Sequence, residues 1–100
     1  MPAAAYLGAY STGHACFPPT RMISTPVSKT YFNGKLAAVK SPATAFLFHK
    51  CGKVFHLPPT RIVTTGASKT YIEGNLAARI GDDIACGDAI AQGSDNSFIE

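Results

Sequence analysis

No stretch of this sequence approaches the run of about 18 apolar residues that a membrane-spanning helix requires. The N-terminus, Met1-Pro2-Ala3-Ala4-Ala5-Tyr6, lacks the basic start and long apolar segment of a secretory signal. The expectation is a chain made in the cytoplasm without a signal peptide, leaving a cell only if folded and carried, or by lysis. Tryptophan is absent, and charged residues make up only 15% of the chain. Nine Lys and Arg against six Asp and Glu give a net charge of +3. The cations are scattered singly, whereas a phosphate-binding surface needs them clustered, so nucleic acid is not an expected partner. Three cysteines, Cys16, Cys51 and Cys86, cannot all pair within one chain. With three histidines present and no signal, metal ligation is expected in preference to a disulfide framework.

What the sequence does have is a copy of itself at an offset of forty. Pro18-Pro19-Thr20-Arg21 returns as Pro58-Pro59-Thr60-Arg61, and Ser28-Lys29-Thr30-Tyr31 returns as Ser68-Lys69-Thr70-Tyr71. Gly34 matches Gly74, and Leu36-Ala37-Ala38 matches Leu76-Ala77-Ala78; between positions 18 and 38, 13 of 21 residues equal their partners. A shorter third copy, Ile90 to Gly93 and Asn96 to Ile99, tracks the second. Repetition on this scale means one supersecondary unit used more than once, each copy burying its apolar face against the next. The third copy runs out at Glu100, so its last strand is expected to be short or completed by a partner.

Each copy reads as strands and turns. Arg21 to Thr25 and Arg61 to Thr65 are rich in β-branched residues behind a Pro-Pro pair. Asn33-Gly34 and Glu73-Gly74 mark tight turns, where glycine accepts positive φ. Small residues at Leu36-Ala37-Ala38 and its repeat suggest close approach of neighbouring elements. Residues 1–100 are therefore expected to form one all-β domain, a small arrangement of β-hairpin repeats around a pseudo-three-fold axis.

Two segments break the repeat: Phe46 to His56, and Gly81 to Asp88. Every histidine and cysteine lies in or beside such a junction, and pseudo-three-fold symmetry would converge the junctions on the axis. Thiolate and imidazole together suit zinc better than magnesium or calcium. Other candidates for chemistry are weaker. Asp82 and Asp83, adjacent on a strand, would point to opposite faces, and hydrogen bonding at a turn is the expected role of Asp82. Ser94 lacks the setting of a nucleophile. Arg21 and Arg61 read as solvated strand-end cations.

At Leu76-Ala77-Ala78-Arg79-Ile80-Gly81-Asp82, followed by Cys86-Gly87, Ile90 and Gly93-Ser94, the chain resembles the PAAR-repeat proteins. It departs from them in several places: Glu73 replaces an asparagine, Leu76 replaces a proline, Asp88 replaces the second glycine of Cys-Gly-Gly, and Lys40-Ser41-Pro42 replaces the Gly-Asp element in the first copy. The resemblance implies a small cone that caps the blunt end of a homotrimeric β-helical spike, one tip per trimer. It further implies a structural, non-enzymatic part that sharpens the spike for membrane penetration by a contractile injection machine. Its place would be a virion tail tip or a type VI secretion system. The target membrane would be met transiently, and any effector would be a separate cargo. Near the apex the family holds a metal, typically zinc, with three histidines and one cysteine. That set would here be His14, His49, His56 and Cys86, with Cys16 and Cys51 competing for the cysteine role and iron the lesser fit. The rival reading is a small zinc-dependent hydrolase, which would need an open coordination position and a nearby general base.

Overall fold

In the computed structural model, which describes residues 2–57, 61–85 and 87–99, the regular structure is entirely β. The strands are short: β1 (Met22–Ser24), β2 (Tyr31–Phe32), β3 (Lys35–Leu36), β4 (Ser41–Phe46), β5 (His49–Cys51), β6 (Val54–His56), β7 (Ile62–Val63), β8 (Tyr71–Ile72) and β9 (Asn75–Leu76). β4 lies between β1 and β7 in an antiparallel sheet, while β2–β3, β5–β6 and β8–β9 are two-stranded hairpins. Strands this short are marginal alone. What joins them is a set of single bridges and loop hydrogen bonds that closes around an axis.

The expected turns form. Asn33 and Gly34 both have positive φ (54° and 79°), as do Glu73 and Gly74 (50° and 87°), the two-residue geometry that matches the twist of a hairpin. Glu73 is an unusual residue there, and its carboxylate is tied down. It accepts hydrogen bonds from the backbone of Ser28 (3.2 Å) and Lys29 (3.0 Å) and from the Thr30 hydroxyl (3.2 Å). Asn33 makes the corresponding reach to the third copy, donating to Asp95 (2.8 Å) and accepting from Ser94 Oγ (2.6 Å). The hairpin turns thus fasten each copy to a neighbour.

The three-fold relation is written in the backbone. Ala5 N–H donates to the Ala78 carbonyl (3.0 Å), Ala78 N–H to Ala38 (3.0 Å), and Ala38 N–H to Ala5 (3.1 Å), a closed ring of three bonds. A second set follows it: Leu7 to Leu36 (2.7 Å), Lys40 to Leu76 (2.8 Å) and Ile80 to Ala3 (2.9 Å). Only small side chains allow three strands to approach this closely, and Ala4, Ala5, Ala37, Ala38, Ala77 and Ala78 are all fully buried. The third unit is completed by the chain's own N-terminal segment. Ala3 bridges Phe98 as Leu36 pairs with Tyr31 and Leu76 with Tyr71. Among the described residues the last strand is short, as expected, a single bridge at Phe98, and what completes it is the chain's own N-terminal segment.

Gly93 shows how tight the seam is, since a Cβ there would lie 2.7 Å from the Ala4 carbonyl oxygen.

The molecule is elongated, 38 by 24 by 21 Å, and its buried apolar side chains form two clusters. One packs Val27, Val39, Ile72 and Ile99 around Ala4, Ala37 and Ala77. The other packs Met22, Phe46, Val63, Ile84 and Ile90 around Ala5, Ala38 and Ala78. Fully burying a side chain such as Phe46 or Met22 contributes roughly 1.5–3 kcal/mol. Beyond Phe46 the interior turns polar, beginning with the Arg61 guanidinium 5.6 Å from its ring. The first copy continues there as β4, because Lys40-Ser41-Pro42 supplies no Gly-Asp turn. In the second copy Gly81, at φ 92°, and Asp82 make that turn. Asp82 bonds to Arg79 N–H (2.6 Å), Arg79 Nη2 (2.9 Å) and Thr65 Oγ1 (3.1 Å), the turn-holding role expected of it.

Candidate metal centre

The first junction is a hairpin. Gly52, at φ 63°, takes the first central position of the turn, and Cys51 pairs with Val54, Lys50 with Phe55 and His49 with His56. A directly opposed pair shares one face of a two-stranded ribbon, so His49 and His56 point the same way. Cys51, two residues from His49, shares that face.

Opposite the hairpin stands the tight turn from His14 to Phe17. His14 N–H donates to the Phe17 carbonyl (3.1 Å) and Phe17 N–H to the His14 carbonyl (2.8 Å). Gly13, at φ 72°, leads into it, and a Cβ there would meet the Phe17 carbonyl oxygen at 2.8 Å. The turn carries His14 and Cys16 toward His49 and Cys51. One donor nitrogen from each of His14, His49 and His56 lies within 4.8 Å of the others. Phe17 stacks on His56 at 4.1 Å between ring centroids, covering one side of the cluster.

Hydrogen bonds select the nitrogens that face the cluster. His49 Nδ1 donates to the Pro18 carbonyl (2.9 Å), which leaves Nε2 with its lone pair. That Nε2 is 2.9 Å from His56 Nδ1. Burial lowers the pKa of His49, and the Arg61 and His56 charges add to this, while the Pro18 hydrogen bond and the Asp88 charge work against it without reversing it. The imidazole is thereby kept in the neutral form a metal needs.

Behind the histidines lies a polar layer that sequence reasoning misread. Arg61 is fully buried, not a solvated strand-end cation. Its Nη1 donates to Asp88 Oδ2 (2.8 Å), its Nε to the Leu47 carbonyl (3.0 Å) and its Nη2 to Ser11 Oγ (3.2 Å) and Thr20 Oγ1. Arg21, its repeat partner, stays exposed as expected. Asp88 is buried too, and its other oxygen accepts from His14 Nδ1. Burial alone would raise the Asp88 pKa, but hydrogen bonds from Arg61, Ser11 and His14 and the Arg61 charge outweigh it, leaving about 2. The one sequence signal for Asp88 was its departure from the Cys-Gly-Gly pattern. For Arg61 there was none beyond its place before a β-branched run.

The cysteines call for a correction. Cys16 and Cys51 form a disulfide with Cα atoms 5.5 Å apart, joining the His14 turn to β5. They are therefore not free to compete for a ligand position, and a disulfide is present where metal ligation had been expected. The physical reason is that strand alternation puts Cys51 on the histidine face of its hairpin, while the tight turn brings Cys16 to it from the other side. Cys86 lies outside the described residues.

Three imidazoles converging beyond a pseudo-three-fold β core define a class: a small, metal-capable β cone. The PAAR-motif family model matches residues 12–92, so the chain belongs to the PAAR-motif family. This makes it a spike-tip protein of contractile injection machinery, a structural family. Comparison with curated proteins gives no significant match. The donor set fits the metal such a family implies, since three imidazoles suit zinc and related transition ions.

Proposed function

We propose that this protein caps the blunt end of a homotrimeric β-helical spike, one tip per trimer, and sharpens it for membrane penetration. A structural zinc would fix its apex, with His14, His49 and His56 as ligands and Cys86 as the fourth. The observation that carries the reading is the closed pseudo-three-fold base. A single chain with three equivalent edges can satisfy three identical subunits at once, which an asymmetric surface cannot.

The same relation supplies a contact surface. Tyr31, Tyr71 and Phe98 occupy equivalent places on the three units and are 57%, 65% and 53% exposed, while Ile72 and Ile99 beside them turn inward. Three aromatics at one level suit a three-fold partner, because aromatic anchors dominate interface energetics. The turns at Asn33-Gly34 and Glu73-Gly74 flank this level and belong to the same docking surface.

The test is binding of the triple variant Tyr31→Ser, Tyr71→Ser, Phe98→Ser to the cognate spike trimer. The expected result is loss of binding by 100-fold or more with unchanged melting temperature and metal content. Unchanged affinity would remove this face from the interface.

A further inference from the structure

Asp88 stands where the related pattern has glycine, and a glycine could make none of its contacts. Its carboxylate reaches His14 Nδ1 with Oδ1 and Arg61 Nη1 with Oδ2, the latter at 2.8 Å. The side chains of Asp88 and Arg61 are both fully buried. Asp88 is not one of the groups whose donor atoms meet within 4.8 Å; it sits behind His14, with Oδ2 4.0 Å from His49 Nδ1. We propose that Asp88, held by Arg61, is a positioning residue for the metal centre, fixing His14 in the Nδ1–H tautomer so that Nε2 is its ligand atom. This rests on the reading of the three histidines as a metal site.

The reasoning is one of donors and acceptors. A carboxylate already accepting from a guanidinium offers only lone pairs to His14, so the imidazole must bring the proton to Nδ1. The ring is then oriented before any metal arrives. His49 is set the same way by a different partner, the Pro18 carbonyl on its Nδ1. Two of the three histidines thus present Nε2 by outer-sphere hydrogen bonds. Such partners orient ligands and raise their basicity, and their loss costs about 10- to 100-fold in metal affinity. Arg61 has a double part, neutralising Asp88 and placing Nη1 3.3 Å from His49 Nε2. That nitrogen is the one left to a metal, so Arg61 Nη1 would have to give up this contact when an ion binds while keeping its bond to Asp88.

The experiment titrates the wild-type chain, Asp88→Asn and Asp82→Asn with zinc against a chelator of known affinity. Long-range proton–nitrogen NMR of the wild-type histidines accompanies it. Asp82 is the control, a carboxylate paired with Arg79 outside the cluster. The expected result is one zinc per wild-type chain, about 10- to 100-fold weaker binding in Asp88→Asn, and near-wild-type affinity in Asp82→Asn. The His14 signals should show a protonated Nδ1 with and without zinc. A His14 bonded to zinc through Nδ1, or Asp88→Asn with undiminished affinity, would overturn the role of Asp88 alone. A folded wild-type chain that takes up no zinc would overturn both this inference and the metal reading on which it rests. Should Asp88→Asn fail to fold, the wild-type tautomer decides the matter.

Discussion

Replacing Arg61 by methionine removes the guanidinium that pairs with the buried Asp88 carboxylate. The guanidinium and carboxylate are 2.8 Å apart, with both side chains fully buried. Methionine can fill much of the volume but satisfies neither Asp88 nor the Leu47 carbonyl, Ser11 and Thr20 that Arg61 also bonds. Breaking a buried ion pair by deleting one partner typically costs about 3–5 kcal/mol, most of it the penalty of the stranded charge. For a domain of this size each kcal/mol lowers the melting temperature by about 4–8 °C, so a fall of at least about 12 °C is expected. Circular dichroism melts at neutral pH, with and without added zinc, provide the assay. The double variant Arg61→Met, Asp88→Leu should recover a large part of the loss, because it removes the stranded charge as well. A single variant melting within about 4 °C of wild type, or a double variant no better than the single, would refute the view of this pair as a coupled buried unit.

His56→Ala should lose zinc and destabilise the tip, and unchanged metal content and melting temperature would take His56 out of the site. Cys16 and Cys51 are 35 residues apart in sequence, so their disulfide limits the unfolded chain by about 4 kcal/mol in the loop-entropy account. Thermal melts of Cys16→Ser, Cys51→Ser, or of the wild type with reductant, should show a clear drop. Glu73 has a lowered pKa from the Lys29 and Ser28 backbone bonds and the Thr30 hydroxyl, with burial opposing. Its contribution is therefore present above its unfolded value and lost as pH falls through the folded one. The difference in denaturant midpoint between wild type and Glu73→Gln should shrink as pH drops from 7 to 3, and a constant difference would contradict the carboxylate's role.

Much of the fold was legible because the unit was duplicated. Asn33-Gly34 and Glu73-Gly74 announced their hairpins, and the Leu-Ala-Ala pairs announced a close approach. The closure of the third unit was hidden, since its strand is supplied from residues 2–5, far in sequence from Phe98. Only the alanines of that segment resemble the repeat, and a pairing across chain ends leaves no contiguous pattern. The convergence of His14, His49 and His56 followed from symmetry. Their actual placement depends on a hairpin that the sequence reading treated only as a junction. The disulfide and the Arg61–Asp88 pair escaped for a common reason. A thiol or a guanidinium is read by its neighbours, and here those neighbours come from other copies of the repeat.

Native mass spectrometry of the purified chain with its cognate trimeric β-helix tests the central claim most directly, because it reads stoichiometry and metal together. A complex of one chain, one trimer and one zinc is the predicted result. A chain that carries no metal and binds no such trimer, or that binds it three to one, would contradict the account.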